Sequence, residues 1–172
     1  MALISVTRVL AADSLNDPIL GGGEVSYTPP FEMSHSIRDD SVAYVHGNIT
    51  AVVFHVIDLG MGQDAFFADT NAVSIEVMRR ALGTEATRGF VGTNIIAKII
   101  KMDGIEAVEI HGKKKGYSGV PDTWSDSIVM FWHKGASWSK TTALWIDISD
   151  FNEDDCQKLI GSVKSAKYHP PK

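Results

Sequence analysis

The ten residues Ile49–Asp58 carry apolar side chains on both parities: Ile49, Ala51, Val53 and Ile57 on one, Val52, Phe54 and Val56 on the other. Successive side chains of an extended strand point to opposite faces, so this run predicts a strand covered on both sides. The β-rich run Val42–His46 precedes it, and Gly47-Asn48 between them predicts a tight hairpin. Whatever else the chain does, it must build a sheet around this pair.

The last third is the most regular part. Ala107–Lys113, Ser127–His133 and Thr141–Ile148 read as three strands of a β-meander, with a polar loop over 114–125 and a turn over 134–139. Asn152 then offers an N-cap, with Glu153, Asp154 and Asp155 in the first turn where the helix dipole favours carboxylates. Cys156, Leu159, Ile160 and Val163 follow at i, i+3, i+4 and i+7, which predicts an amphipathic helix.

Earlier segments are read the same way. Residues 2–10 alternate loosely as a strand, and Glu24–Thr28 alternates as a short strand stopped by Pro29-Pro30. Ile75, Met78 and Leu82 set a helical period over Thr70–Leu82, closed by Gly83. The paired isoleucines of 94–101, four apart, predict a helix ending at Gly104, although their β-branching favours a strand. The whole predicts one α+β domain over 1–172, with 1–23 as an N-terminal extension. Its expected architecture is an antiparallel sheet covered by helices, an α/β sandwich, ending in the β-meander and its amphipathic helix.

Hydrophobic residues make up 44% of the chain and charged residues 22%, the balance of a globular protein and not of a disordered one. No stretch reaches the roughly 18 apolar residues of a membrane span. Net charge is −5, which gives no general attraction to nucleic acid or to an anionic membrane. Cys156 is the single cysteine, so no intrachain disulfide forms, and the N-terminus lacks the charged-then-apolar order of a secretory signal. These features point to the cytoplasm.

The element pattern resembles the PsbP-like sandwich family, including its DcrB-type bacterial members. The matching features are Glu24–Tyr27 running through Thr28 into Pro29-Pro30-Phe31, a strand hairpin and helix, the step Gly104-Ile105-Glu106-Ala107 into a three-strand meander, and a final helix over 151–163. The resemblance spans residues 24–166. It implies a protein-binding scaffold more often than an enzyme, since that fold serves photosystem subunits, lipoproteins and cytosolic adaptor chaperones of type VI secretion effectors.

Chemistry-bearing residues give no catalytic constellation. The six histidines His35, His46, His55, His111, His133 and His169 show no zinc spacing, though His46 and His55 lie on paired strands and are candidates to face one another. No metal or cofactor is expected. Cys156, behind three carboxylates, reads as a buried structural thiol, and Ser118 in Gly-Tyr-Ser-Gly as a loop residue. Lys113-Lys114-Lys115 reads as a solvated basic tip.

Aromatic residues concentrate in the meander. The expected function is a protein-binding adaptor, chaperone or immunity-type protein that holds an apolar segment of an effector or toxin through Met130, Trp132, Trp138 and Trp145, in the manner of aromatic- and Met-rich interfaces. A homodimer through the same face is a further expectation. The alternative is a small hydrolase in which Asp147 or Asp150 works with a histidine such as His133.

Overall fold

The computed structural model describes residues 7–9, 13–16, 20–38, 41–58, 90–116, 118–132 and 142–171. Its strands are β1 (Thr7–Val9), β2 (Asp13–Asn16), β3 (Glu24–Tyr27), β4 (Met33–Arg38), β5 (Ser41–His46), β6 (Ile49–Asp58), β7 (Phe90–Met102), β8 (Ile105–Lys114), β9 (Thr123–Met130) and β10 (Thr142–Asp150). Helix α1 (Glu153–Ser165) and the short β11 (Lys167–His169) close the chain.

Eight strands form one antiparallel sheet in the order β1-β4-β5-β6-β10-β9-β8-β7, and β11-β3-β2 form a second, smaller one. The fold is α+β and mostly antiparallel sheet. Among the described residues a single helix lies on the large sheet, against β9 and β10, so the helical layers expected to cover the sheet are not seen there. The predicted helix over 70–82, the turn over 134–139 and most of the 2–10 strand fall outside the described residues.

The expected hairpin is β5–β6. Gly47, the first of its two turn residues, has φ +58, the left-handed backbone that such a turn demands there and that glycine adopts without a Cβ penalty. Strand β6 is central, paired with β5 on one side and β10 on the other. Val52 and Phe54 of β6 are buried on the helix side with Ile128, Leu144, Ile146 and Ile148. The opposite face is buried too, at Val108, Ile110, Val129 and Ala143.

Helix α1 forms where expected. The Asn152 side-chain oxygen accepts from the Asp154 and Asp155 N–H groups at 2.9 and 3.2 Å, satisfying two donors that the helix itself leaves open. Cys156, Leu159, Ile160 and Val163 turn into the core.

Three expectations are corrected. Residues 94–101 belong to strand β7, not to a helix. The β-branched isoleucines pair across to β8, and Asp103-Gly104, with φ of 49 and 81, makes the left-handed two-residue turn that joins the strands. The meander strand expected from Ser127 begins at Thr123 and ends at Met130. Its polar start belongs in the sheet because the side chains bond across strands: the Ser125 and Ser149 hydroxyls share a 2.8 Å hydrogen bond, and the Trp145 indole N–H donates to Ser127 at 2.9 Å. His46 and His55 do not face one another. His46 pairs in register with Ile49 and packs on Phe31, whereas His55 pairs with Ser41 and stacks on Trp145.

Candidate functional site

Of the four side chains expected to meet a partner, Met130 and Trp132 are core residues at 0% and 1% exposure. The Trp132 indole N–H donates to the Leu20 carbonyl at 3.4 Å, and its ring meets Tyr168 edge-on. Trp145 sits half-buried on the other face of the sheet, stacked on His55 at 4.7 Å. Trp138 lies outside the described residues. The structure therefore brings Met130 and Trp132 into one cluster and leaves Trp145 apart from them.

Asp147 and Asp150 point to opposite faces of β10, as their odd spacing requires. Asp147 pairs with Lys114 of β8. Asp150 accepts the Asn152 N–H at 2.9 Å and lies 3.1 Å from His46 Nδ1. A carboxylate and an imidazole do meet, but the histidine is His46; His133 is outside the described residues.

The basic tip is largely engaged within the chain. Lys113 lies over the Trp124 ring at 4.2 Å, Lys114 holds Asp147, and Lys115 is 3.5 Å from Asp122. Cys156 is fully buried, and burial above all pushes its thiol up to about 12. Among the described residues no three His, Cys, Asp or Glu side chains come together as metal ligands.

Two features that the sequence reading passed over stand out. The first is a buried charged cluster on the face of the sheet that α1 covers. Glu109 of β8 and Asp126 of β9 are 3% and 0% exposed. Lys164 of α1 donates to one Glu109 oxygen, and Lys98 of β7 lies 3.1 Å from the other. Neither Asp126 oxygen accepts a hydrogen bond from a donor among the described residues, and the nearest imidazole nitrogen, His111 Nδ1, is 4.0 Å away. Burial, then the adjoining Glu109 carboxylate, push Asp126 up to about 9. For Glu109 burial pulls upward, but the Asp126 hydroxyl and the two ammonium groups outweigh it and hold the carboxyl below its ordinary range. The signal was present in the sequence: Asp126 shares its strand parity with Ile128 and Met130, so a carboxyl had to lie on the core side.

The second feature is the outer side of β7. This strand is 13 residues long and ends the eight-stranded sheet, so among the described residues no strand pairs with its outer edge. Ile96 and Ile99, on opposite faces of it, are 57% and 44% exposed. Lys98 and Lys101 are exposed beside them.

No protein-family model matches this chain, and no curated protein matches it. Among solved structures, LpqN, which is involved in cell envelope biogenesis of Mycobacterium tuberculosis, is similar at a TM-score of 0.49 and 13% identity, over 97% of this chain and 92% of that one. No described helix is long and apolar enough to cross a membrane.

Proposed function

We propose that this chain is a protein-binding adaptor, of the chaperone or immunity kind, that holds an extended segment of another protein along the outer edge of β7. The observation that carries this reading is the exposure of Ile96 and Ile99 on a long strand at the end of the sheet. An unpaired row of backbone N–H and C=O groups is a template for an added strand, and proteins ordinarily blunt such edges by making them short, charged or covered. Strand β7 is long, and of its two exposed lysines Lys98 already answers Glu109.

Main-chain bonding would supply the affinity and alternate side chains the selectivity. The fitting partner is an extended segment with apolar residues set against the isoleucines and an acidic residue against Lys101. The adaptor class itself comes from the PsbP-like, DcrB-type resemblance, and so does a role beside a secreted effector or toxin. The cytosol is the compartment proposed, from the lone cysteine.

Amide hydrogen exchange of the full chain tests this, read with a short peptide alternating valine and glutamate and with its lysine-for-glutamate counterpart. Slower exchange over 96–101 with the first peptide alone supports the proposal. Unchanged exchange with both overturns it. Slowing that appears without peptide and grows with the chain's own concentration assigns the edge to a second copy instead.

A second reading has one observation in its favour. Asp150, 5% exposed, orients His46 through their 3.1 Å contact, as a carboxylate orients a general base. Hydrolysis of a model ester that is lost in His46→Ala and follows the titration of one histidine would support it; equal rates in both proteins would discard it.

A further inference from the structure

We propose that Glu109 and Asp126 form a proton-holding latch: one proton, carried by Asp126 and shared with Glu109, lets β7, β8, β9 and α1 close over the pair, and its release on the alkaline side loosens them.

The argument rests first on geometry. Glu109 and Asp126 lie on neighbouring strands, on the face that α1 covers, with Glu109 in register with Ile128 and Asp126 in register with His111. Glu109 is held from two directions by lysines, Lys164 from the helix and Lys98 from β7. Among the described residues Asp126 has no such partner: it is completely buried and takes no donor on either oxygen. A carboxylate in that position would be an uncompensated buried charge beside another anion, which is strongly unfavourable and is relieved by protonation. As a neutral acid, Asp126 instead becomes a donor, and Glu109 is the acceptor beside it.

The surrounding charges decide which of the two carboxyls keeps the proton. Two ammonium groups stand on Glu109, so it is the anion. Facing Asp126 are His111 and Glu109 from β8, Lys98 from β7 and Lys164 and Cys156 from α1, with Asp150 further along the same face of β10. Among the described residues both lysines pair with Glu109 and neither with Asp126, whose nearest imidazole nitrogen, His111 Nδ1, is 4.0 Å away. The upward push on Asp126 agrees with this placement.

The sign follows from linkage. The folded chain holds a proton that the unfolded chain releases in the ordinary carboxyl range, so the contribution is complete below that range and is lost as pH rises through the folded-state value of about 9. Across that window the ratio of folded to unfolded chain falls with pH by up to about tenfold per unit.

The test is carbon NMR of the aspartate carboxyls in the full chain, together with urea denaturation between pH 5 and pH 9. One aspartate resonance titrating on the alkaline side, absent in Asp126→Asn, is the expected result. Asp126→Asn supplies a neutral donor of the same shape, so its stability should fall less steeply with pH than that of the parent. The idea fails if every aspartate in the parent titrates in the acid range, or if Asp126→Asn keeps the parent's slope. Should that variant not fold, the parent's resonances still decide.

Discussion

The backbone N–H of Tyr168 donates to the Asp103 carboxylate at 2.9 Å, and Lys167 reaches the same carboxylate at 3.1 Å. The turn between β7 and β8 thereby anchors β11, and through it the small sheet, to one corner of the large one. The Tyr168 N–H first, then Lys167, hold Asp103 below the usual aspartate range. A depressed acid contributes stability that is present above its unfolded value and lost as pH falls through its folded one. Acidification should therefore lower the amide protection factors at 167–169, corrected for the intrinsic rate at each pH, before it affects α1. Asp103→Asn, which tolerates the φ of +49, should produce the same loosening at neutral pH; protection of β11 unchanged in that variant would show the contact to be idle.

The Asn152 cap carries two hydrogen bonds at the start of α1, and this helix supplies Cys156, Leu159, Ile160 and Val163 to the core. Asn152→Ala should cost about 1 kcal/mol in urea denaturation, while Asn152→Asp or Asn152→Ser should cost much less, since each keeps an acceptor for the open N–H groups.

Helix α1 was legible because its signals are local: a capping residue, three acids and an apolar stripe, all within fifteen residues of one another by reading alone. The β5–β6 hairpin was legible for the same reason, through Gly47-Asn48. Strand β7 was not, because isoleucines spaced both one and four apart satisfy a helical and a strand period together. The deciding signal is Asp103-Gly104, a hairpin dipeptide whose glycine also reads as a helix stop. Short strands such as β2 and β11 exist only through their partner β3, which no local pattern can announce. The site shows the same division. Asp126 could be placed by parity on the core face, but its meeting with Glu109, Lys98 and Lys164 depends on three neighbouring elements.

Burial and a raised thiol pKa make Cys156 a structural residue that should be unreactive in the folded chain. The thiolate is the reactive species, and a thiol held up near 12 and fully buried supplies almost none at neutral pH. A maleimide or disulfide reagent should label the folded chain only at the rate at which α1 opens, and the urea-unfolded chain at the rate of a free thiol. Rapid labelling of the native protein would mean that the helix does not cover β9 and β10 as described.

Trp132 separates packing from recognition. A Cβ on Gly23 would fall 2.2 Å from the Trp132 ring, so the glycine is required by close approach and not by its backbone angle. Gly23→Ala should therefore destabilise by about 1–3 kcal/mol, the range for overfilling a packed core. Trp132→Ala, removing a side chain 1% exposed, should cost about 3–5 kcal/mol. Where the two are combined, the losses should not add, because the alanine methyl at 23 would occupy space that the lost ring vacates. If Trp132 instead served a partner, Trp132→Ala would leave the denaturation midpoint almost unchanged and lower binding. The two measurements on one variant thus decide whether the tryptophan belongs to the core that Gly23 lines or to a surface that another protein meets.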